Sequence, residues 1–304
     1  MRAFRETRAV SILDIEQAGE RHEAFAVAGE PYVVEVSRRD KAALEFAHLE
    51  AWLRDWREEC WVSPSGAFLY LNDARLDPHR APSERSQPEG RYHSFVLPLP
   101  EIIDRITNPG ARAPLVAAGE VVYWYCGRVH AELRAQLGSL PAPMDGCEDQ
   151  GAWLSQAGAI TTLHYDQTPG FLVQLQGRKR VVLAPITADL YPFPVTDWRT
   201  RSSQVIDLPG VDLEQYPNFA RSHCWEVELE PGQVLFVPNP IWHWVESLEA
   251  SLSLTLKQRA PALAATWRSI EYAFGDEAYL RQLSAPQRAA VLAIFERDYL
   301  GSLR

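Results

Sequence analysis

The sequence has few cysteines, no long apolar run and a shortage of positive charge. Only four cysteines occur in 304 residues, and no two of them form a Cys-x-x-Cys pair. This pattern is typical of thiols in a reducing compartment and does not indicate a disulfide framework or a zinc knuckle. No apolar stretch approaches the roughly 20 residues of a membrane span, and the first residues lack the apolar core of a signal peptide. We therefore expect a soluble, cytoplasmic protein.

Acidic residues outnumber basic ones, which bears on the class of ligand. The chain carries 40 Asp and Glu against 30 Lys and Arg, a formal net charge of −10. Phosphate binding depends on basic side chains that displace counterions, so nucleic acid is the least favoured partner, although a local basic groove stays open. Hydrophobic residues make up 46% of the chain and include 10 tryptophans, which is enough for a large core.

The first of three zones, residues 1–117, mixes helix and strand patterns. A strand is predicted at 31–36, and apolar residues recurring every three or four positions predict a helix at 41–59. A proline-rich, charged loop follows at 77–90, and a short helix closed by Pro-Gly is predicted at 99–110. We expect this zone to pack on the domain that follows it.

The second zone, residues 118–260, consists almost entirely of strand patterns, and helix patterns return at 261–304. The strands are short, rich in β-branched and aromatic residues, and bounded by Gly or Pro. They read VVYWYCG, FLVQLQG, KRVVLAP, CWEVELEPG, QVLFVP, HWVESL and SLSLTLKQ. Many short strands at this spacing predict a sandwich or small barrel, so the fold class is mainly β with flanking helices (α+β).

A histidine and an aspartate two residues apart, His164 and Asp166, are the first candidate site. If 162–166 is a strand, both side chains project from one face with Cα atoms about 6.6 Å apart. An imidazole and a carboxylate are two of the three ligands of the facial triad in non-haem Fe(II) oxygenases. The pair alone is a weak signal, because a histidine hydrogen-bonded to a nearby carboxylate gives the same pattern.

The third ligand of such a triad is His243, in EPGQVLFVPNPIWHWVESL. It follows a Pro-Gly turn, a strand and a second proline-rich turn, which predicts a strand just past a corner. The alternative is a core histidine packed between Trp242 and Trp244.

Together the two segments resemble the two motifs of the cupin superfamily, in the HxD…H form of the JmjC-like 2-oxoglutarate oxygenases. The first motif runs from Gly158 to Gly177 around the His-Asp pair, and the second contains Gly232 and His243. Further text resembles the branch of the asparaginyl hydroxylase that acts on hypoxia-inducible factor: LYPFPV, RSSQV, YPNF and WHWVESL, in that order. The resemblance implies a double-stranded β-helix, a jelly roll, over 118–260, with His164, Asp166 and His243 as metal ligands and catalytic residues.

The resemblance also implies residues that hold 2-oxoglutarate. The family places a lysine 15 residues after the first histidine, here Lys179, against the distal carboxylate of the co-substrate, although a lysine at this hairpin corner could equally be a solvated charge. A threonine three residues before the histidine, here Thr161, would donate to the same carboxylate. Strict strand alternation would instead favour Thr162, unless a bulge intervenes. A tyrosine completes the set, and Tyr123 fits the family spacing better than Tyr125.

Three positions depart from that branch. Gly170 and Lys257 stand where it has asparagines near the metal, and Lys257 would bring a second positive charge to the co-substrate. Ser202 replaces a substrate-contacting glutamine, although Arg201 remains. A site built to hydrogen-bond a carboxamide loses that partner, so we do not expect asparagine hydroxylation of the same substrate.

The expected activity is hydroxylation of a C–H bond with Fe(II), 2-oxoglutarate and O₂, giving succinate and CO₂. The preferred substrate is a peptide or protein side chain in a groove formed by Trp198, Arg199, Arg201 and Trp244 together with Ser202. A small molecule, a tRNA base, a cupin with another metal and a non-catalytic binding module remain alternatives. The resemblance further implies a homodimer through the helices of 261–304, for which packing onto the barrel is the alternative.

Overall fold

The computed structural model describes residues 3–35, 57–63, 67–68, 93–108, 121–126, 142–144, 146–166, 169–192 and 202–258. Several predictions fall outside these residues. They concern most of the helix at 41–59, the loop at 77–90, Trp198, Arg199, Arg201, and the C-terminal helices with their proposed dimer contact. None of the described helices is long and apolar enough to cross a membrane.

Strands dominate the described residues. The strands are β1 (Glu6–Ala9), β2 (Ser11–Leu13), β3 (Tyr32–Glu35), β4 (Arg57–Ser63), β5 (Ala67–Phe68), β6 (His93–Pro98), β7 (Val121–Cys126), β8 (Glu148–Ser155), β9 (Ile160–His164), β10 (Gly170–Gln176), β11 (Lys179–Pro185), β12 (His223–Leu229), β13 (Gln233–Val237), β14 (Ile241–Ser247) and β15 (Ser251–Lys257). The helices are α1 (Ile15–Ala28), α2 (Leu99–Thr107) and α3 (Asn218–Arg221), with 3₁₀ turns at Ala142–Met144 and Ile186–Ala188.

The strands form two sheets that enclose a shared interior. One sheet has the order β1-β12-β11-β14-β9-β5, and the other β2-β3-β13-β10-β15-β8-β7-β4-β6. The jelly-roll prediction is confirmed, as are the seven strands predicted between 118 and 260. The first zone does more than pack on the barrel, because β1 and β5 join the six-stranded sheet while β2, β3, β4 and β6 join the other.

Period-two alternation along the strands divides the core into three layers. Between the sheets pack Val181 and Leu183 of β11 with Leu235 and Val237 of β13. The outer face of the six-stranded sheet buries a second cluster, which includes Val182 and the tryptophans of β14. The outer face of the nine-stranded sheet buries a third cluster against α1 and α2. Each strand near the site therefore has one face committed to the space between the sheets.

Helix α1 was not predicted, although its start carries a clear signal. Asp14 accepts a hydrogen bond from the Gln17 backbone N–H at 2.8 Å, and the Gln17 side chain accepts one from the Asp14 backbone, which completes a capping box. The helix ends at Gly29 in the left-handed conformation, with φ of 67°. The prediction of helix as far as residue 59 is wrong at its end, because Arg57 begins β4 and pairs with Pro98 of β6.

Candidate metal centre and pocket

A pocket opens between the two sheets and takes side chains from both. The six-stranded sheet contributes residues from β9, β11 and β14, and the nine-stranded sheet contributes residues from β7, β8, β10, β13 and β15. The lining consists of Tyr123, Trp153, Thr161, His164, Asp166, Gly170, Phe171, Leu172, Lys179, Val181, Val237, His243, Val245, Thr255 and Lys257. Seven of the residues proposed from the sequence meet here, three for the metal and four for the co-substrate.

The three predicted metal ligands come together. One ligand atom from each of His164, Asp166 and His243 lies within 4.8 Å of the other two. Strands β9 and β14 are neighbours, and His243 is registered opposite His164, so the two rings lie with centroids 4.0 Å apart. Asp166 follows the end of β9 and is not part of the strand, and its Oδ2 lies 3.6 Å from His243 Nε2. The three ligands therefore come from two neighbouring strands, β9 and β14, and from the short segment of chain that follows β9.

Backbone carbonyl groups fix the orientation of both imidazole rings. His164 Nδ1 lies 2.8 Å from the Thr162 carbonyl oxygen, and His243 Nδ1 lies 3.2 Å from that of Ile241. A carbonyl oxygen only accepts, so each Nδ1 must carry the proton, and in a neutral ring Nε2 then keeps its lone pair. Nε2 is therefore the ligand atom that each ring offers. A backbone acceptor behind a ligating histidine is the usual support of a metal site.

Asp166 completes the donor set as a carboxylate. Its burial alone would raise the pKa of the carboxyl group, but the Lys257 ammonium and the two histidines outweigh this and hold the pKa well below its usual range. Two imidazole nitrogens and one ionised oxygen are the ligands of a facial triad, and this set fits Fe(II). The alternative of a single histidine satisfied by a nearby carboxylate does not account for a second buried imidazole at the same point.

A β-bulge resolves the choice between the two threonines. Val245 is registered opposite Thr161 and His243 opposite His164, so three steps on β9 face two on β14. The extra residue changes the alternation within β9. Thr161 and His164 consequently both line the pocket, whereas the fully buried Thr162 does not. Thr161 is the threonine in position to contact a ligand.

Lys179 points into the pocket, while its neighbours point out. Arg178 and Arg180 have side chains 44% and 35% exposed and pair with glutamates on the outer face of the sheet. Lys179 is 3% exposed, and its ammonium crosses to the other sheet, where it donates to Ser253 Oγ at 2.7 Å. It has no carboxylate partner among the described residues, and burial lowers its pKa to about 7. The interpretation as a solvated hairpin lysine is wrong.

A tyrosine and a threonine lie at the same end of the pocket. Tyr123 Oη is 3.1 Å from Thr161 Oγ1, so the hydroxyl groups predicted to share a carboxylate are already hydrogen-bonded to each other. Tyr123 is 7% exposed, and burial raises its pKa, which keeps the phenol protonated and able to donate. The contact of these groups with a co-substrate stays a prediction.

The substrate residues are placed differently from the sequence prediction. Trp244 is fully buried in the outer cluster of the six-stranded sheet and does not line the pocket. Its neighbour His243 faces inward, so alternation on β14 turns Trp244 the other way. The prediction that Trp244 lines a substrate groove is wrong. Ser202 forms an antiparallel bridge with His164 and is 1% exposed, so it lies beside the metal ligands, and its substrate contact stays a prediction.

Of the polar residues on the inner face of β15, Lys257 was proposed from the sequence, whereas Ser253 and Thr255 on the same face were missed. Ser253 accepts from Lys179, Thr255 accepts from Trp153 Nε1, and Lys257 donates to Asp166. The signal was present in SLSLTLK, where alternate positions are Ser, Ser, Thr and Lys while the leucines pack in the core. A polar row facing the interior of a jelly roll indicates a ligand-binding lumen, since buried polar groups require partners.

Comparison with known proteins places the chain in a family. The cupin-like domain family matches residues 84–259, more than half of the chain. The chain belongs to the cupin-like family. Relatives of this cupin-like protein include lysine-specific demethylase 8 of Xenopus tropicalis, 37% identical over 106 residues, which are 34% of this chain and 24% of that protein. Jumonji C domain-containing protein 5 of Drosophila melanogaster is 36% identical over 112 residues, covering 36% of this chain and 27% of that protein.

A third relative, HSPB1-associated protein 1 of Rattus norvegicus, is 39% identical over 105 residues, which are 34% of this chain and 22% of that protein. The chain thus spans about a quarter of the length of the curated relatives it matches. One of these relatives is named for a Jumonji C domain, which supports the JmjC-like resemblance of the two motifs. The narrower likeness to the asparaginyl hydroxylase branch is not part of that finding.

Proposed function

We propose that the protein is an Fe(II)- and 2-oxoglutarate-dependent oxygenase that hydroxylates a C–H bond on a peptide or protein side chain. The observation that carries the proposal is the pairing of two features in one pocket. His164, Asp166 and His243 offer a metal three ligand atoms within 4.8 Å of one another. The buried Lys179 ammonium lines the same pocket and has no carboxylate partner among the described residues. A divalent metal and a carboxylate ligand would satisfy both at once.

The residues of the chain divide the work of binding and orientation. The carbonyl groups behind the two imidazoles hold each Nε2 towards the pocket, and Asp166 supplies the anionic ligand. Lys179, with Tyr123 and Thr161, would anchor the far carboxylate of the keto acid by charge and hydrogen bonds. Bound Fe(II), with O₂ and 2-oxoglutarate, would supply the oxidising power that converts C–H to C–OH while the keto acid leaves as succinate and CO₂.

The position of the site between the two sheets supports an oxidation. The lining lies between two sheets, with apolar side chains such as Val181, Val237 and Val245 beside the polar row. Walls of this kind limit water, which strengthens the ionic contacts and protects a reactive centre. A non-catalytic binding module would need no such combination of metal ligands with a buried cation that has no carboxylate partner among the described residues.

Two of the relatives bear on the class of substrate. One is named a lysine-specific demethylase and another an HSPB1-associated protein, so the names refer to lysine and to association with HSPB1, and we take both as support for a peptide or protein substrate. The net charge of −10 disfavours nucleic acid.

Demethylation at an N-methyl group begins with hydroxylation of its carbon, so hydroxylation and demethylation belong to one chemistry. We propose no asparaginyl hydroxylation of the kind in the resembling branch, because Gly170, Lys257 and Ser202 alter the site.

The test has two stages. The first is metal titration under anaerobic conditions, followed by measurement of succinate released on addition of Fe(II), 2-oxoglutarate and air. We expect His164→Ala, Asp166→Ala and His243→Ala to abolish both, whereas His223→Ala, on β12 outside the pocket, should leave both unchanged. Absence of metal binding in the unaltered protein, even with 2-oxoglutarate present, would refute the proposal.

The second stage identifies the reaction. Peptide and methyl-lysine peptide libraries are incubated with the loaded enzyme and examined for the mass of one added oxygen atom and for released formaldehyde. Hydroxylation gives the first product alone, and demethylation gives the second. Turnover confined to a small molecule or a nucleoside would support the rival substrate classes.

A further inference from the structure

The second lysine of the pocket, Lys257, contacts a metal ligand. It is the last residue of β15 and 7% exposed, and its ammonium donates a hydrogen bond to Asp166 Oδ2. The same oxygen lies 3.6 Å from His243 Nε2. The ammonium therefore holds the carboxylate oxygen that faces the partner ligand.

The path of the Lys257 side chain depends on Gly170. The two residues are registered opposite each other on β15 and β10. A Cβ built on Gly170 would lie 2.6 Å from Lys257 Cδ and 2.5 Å from the Leu256 carbonyl oxygen. Any larger residue would displace the aliphatic stem that carries the ammonium to Asp166. The glycine and the lysine thus form one structural unit.

A metal ion and the Lys257 ammonium compete for the same carboxylate. Among the described residues, Asp166 is the only acidic one in the pocket lining and the only one that forms an ion pair with Lys257. If a dication takes Asp166, the ammonium loses its counter-ion and faces a like charge in a buried site. It then needs another anion, and the described lining offers none.

A ligand carboxylate is the anion that meets this need. Lys179 and Lys257 reach across the lumen from opposite sheets, and Ser253 and Lys257 lie four residues apart on β15, which places their Cα atoms about 13 Å apart. The pocket thus has an ammonium at each end. A dicarboxylate has a carboxylate for each of them.

We propose that Lys257 couples metal binding to binding of the dicarboxylate. It pairs with Asp166 in the metal-free site and moves to the metal-side carboxylate of the keto acid when the metal binds. This inference rests on the proposed function, because it assumes that the triad binds a metal and that the pocket binds the keto acid. Metal alone binds weakly, and each ligand strengthens the binding of the other by the same factor.

The experiment measures Mn(II) affinity by anaerobic calorimetry with and without 2-oxoglutarate. Lys257→Met and Lys257→Gln remove the charge and keep a long side chain. We expect both variants to bind Mn(II) at least about tenfold more tightly than the unaltered protein when no keto acid is present, within the usual range of coupling between sites. Their gain in Mn(II) affinity on adding 2-oxoglutarate should shrink by a similar factor.

Lys179→Met is the matched control. It removes one positive charge from the same pocket but leaves the contact with Asp166 intact, so its Mn(II) affinity without keto acid should change far less. Urea unfolding of each variant verifies folding. Equal or weaker Mn(II) binding by both Lys257 variants, or equal gains from Lys179→Met, would overturn the inference.

The two proposals fail in different ways. If the unaltered protein binds no Mn(II) even with 2-oxoglutarate present, and His164→Ala changes nothing, both proposals are wrong. If the unaltered protein binds metal and releases succinate, but the Lys257 variants keep its Mn(II) affinity and its gain from 2-oxoglutarate, only the role proposed for Lys257 is wrong. Direct coordination of the metal by the keto acid would then account for the way each ligand strengthens the binding of the other.

Discussion

Replacement of Lys179 by methionine should stabilise the protein at neutral and acidic pH. The ammonium is 3% exposed and its acceptor is the Ser253 hydroxyl, so folding removes a charge from water with little compensation. This lowers the pKa in the folded protein to about 7 from the ordinary 10.5. The unfolded chain therefore binds the proton more tightly than the folded one, and protonation favours unfolding.

The magnitude follows from the pKa difference. Each pKa unit corresponds to about 1.4 kcal/mol, so the penalty reaches at most about 5 kcal/mol, and it is fully present below pH 7. It fades by up to about 1.4 kcal/mol per pH unit as the pH rises towards 10.5, because the folded protein then holds a neutral amine. The advantage of Lys179→Met over the unaltered protein should shrink over the same interval.

The assay is urea unfolding at about pH 6 and about pH 9, with and without metal and 2-oxoglutarate. A bound carboxylate compensates the ammonium, so the ligands should stabilise the unaltered protein more than the variant. Arg178→Met is the control, because this neighbouring cation is 44% exposed and its loss should change stability by no more than about 0.5 kcal/mol at either pH. A Lys179→Met variant that is less stable at pH 6, or whose advantage grows with pH, would refute the reasoning.

Three further substitutions test separate features. Gly170→Ala should lower the free energy of unfolding by about 1–3 kcal/mol in urea titrations, because the new Cβ meets a backbone carbonyl oxygen. The control is Gly19→Ala in α1, whose Cβ meets nothing within 4 Å and which should stabilise the protein by about 0.5–1 kcal/mol. Equal effects of the two substitutions would contradict the close approach at Gly170. Trp244→Ala should cost about 3–5 kcal/mol of stability by the same assay, as expected for a core residue and not for a groove residue. Tyr123→Phe removes one hydrogen bond, which is worth about 0.5–1.5 kcal/mol, so the dissociation constant of 2-oxoglutarate measured by calorimetry should rise several-fold. An unchanged dissociation constant would show that Tyr123 does not bind the far carboxylate of the keto acid.

The strands around the site were predictable because their side chains are β-branched and aromatic. Strand β8, Glu148–Ser155, was missed, since EDQGAWLS starts with polar residues and contains a glycine. It nevertheless lies between β15 and β7 and pairs with both. Hydrogen bonding to a strand on each side overrides the weak strand preference of this segment. The sequence of the segment alone does not reveal such pairing. Arg57–Glu59 was assigned to a helix for the same reason and is strand in β4.

The metal ligands were predictable because they belong to the HxD…H motif. His164, Asp166 and His243 stand at fixed spacings within two recognisable segments, so their meeting could be foreseen. The position of Thr161 required a bulge that only the register of β9 against β14 reveals. The link from Lys257 to Asp166 depends on the register of β15 against β10 and on space left by Gly170, and neither is encoded in the local pattern.

The charge balance of the pocket argues that metal and keto acid enter together. With both lysines protonated, Lys179, Lys257 and Asp166 give the described part of the lining one net positive charge. A dication alone would raise this to three positive charges in a space between two sheets, where charges are poorly screened. A dicarboxylate with two negative charges returns the total to one and provides each ammonium with a counter-ion. A site with one lysine would bind the metal more readily by itself, so the second lysine makes occupancy by the metal conditional on the organic ligand.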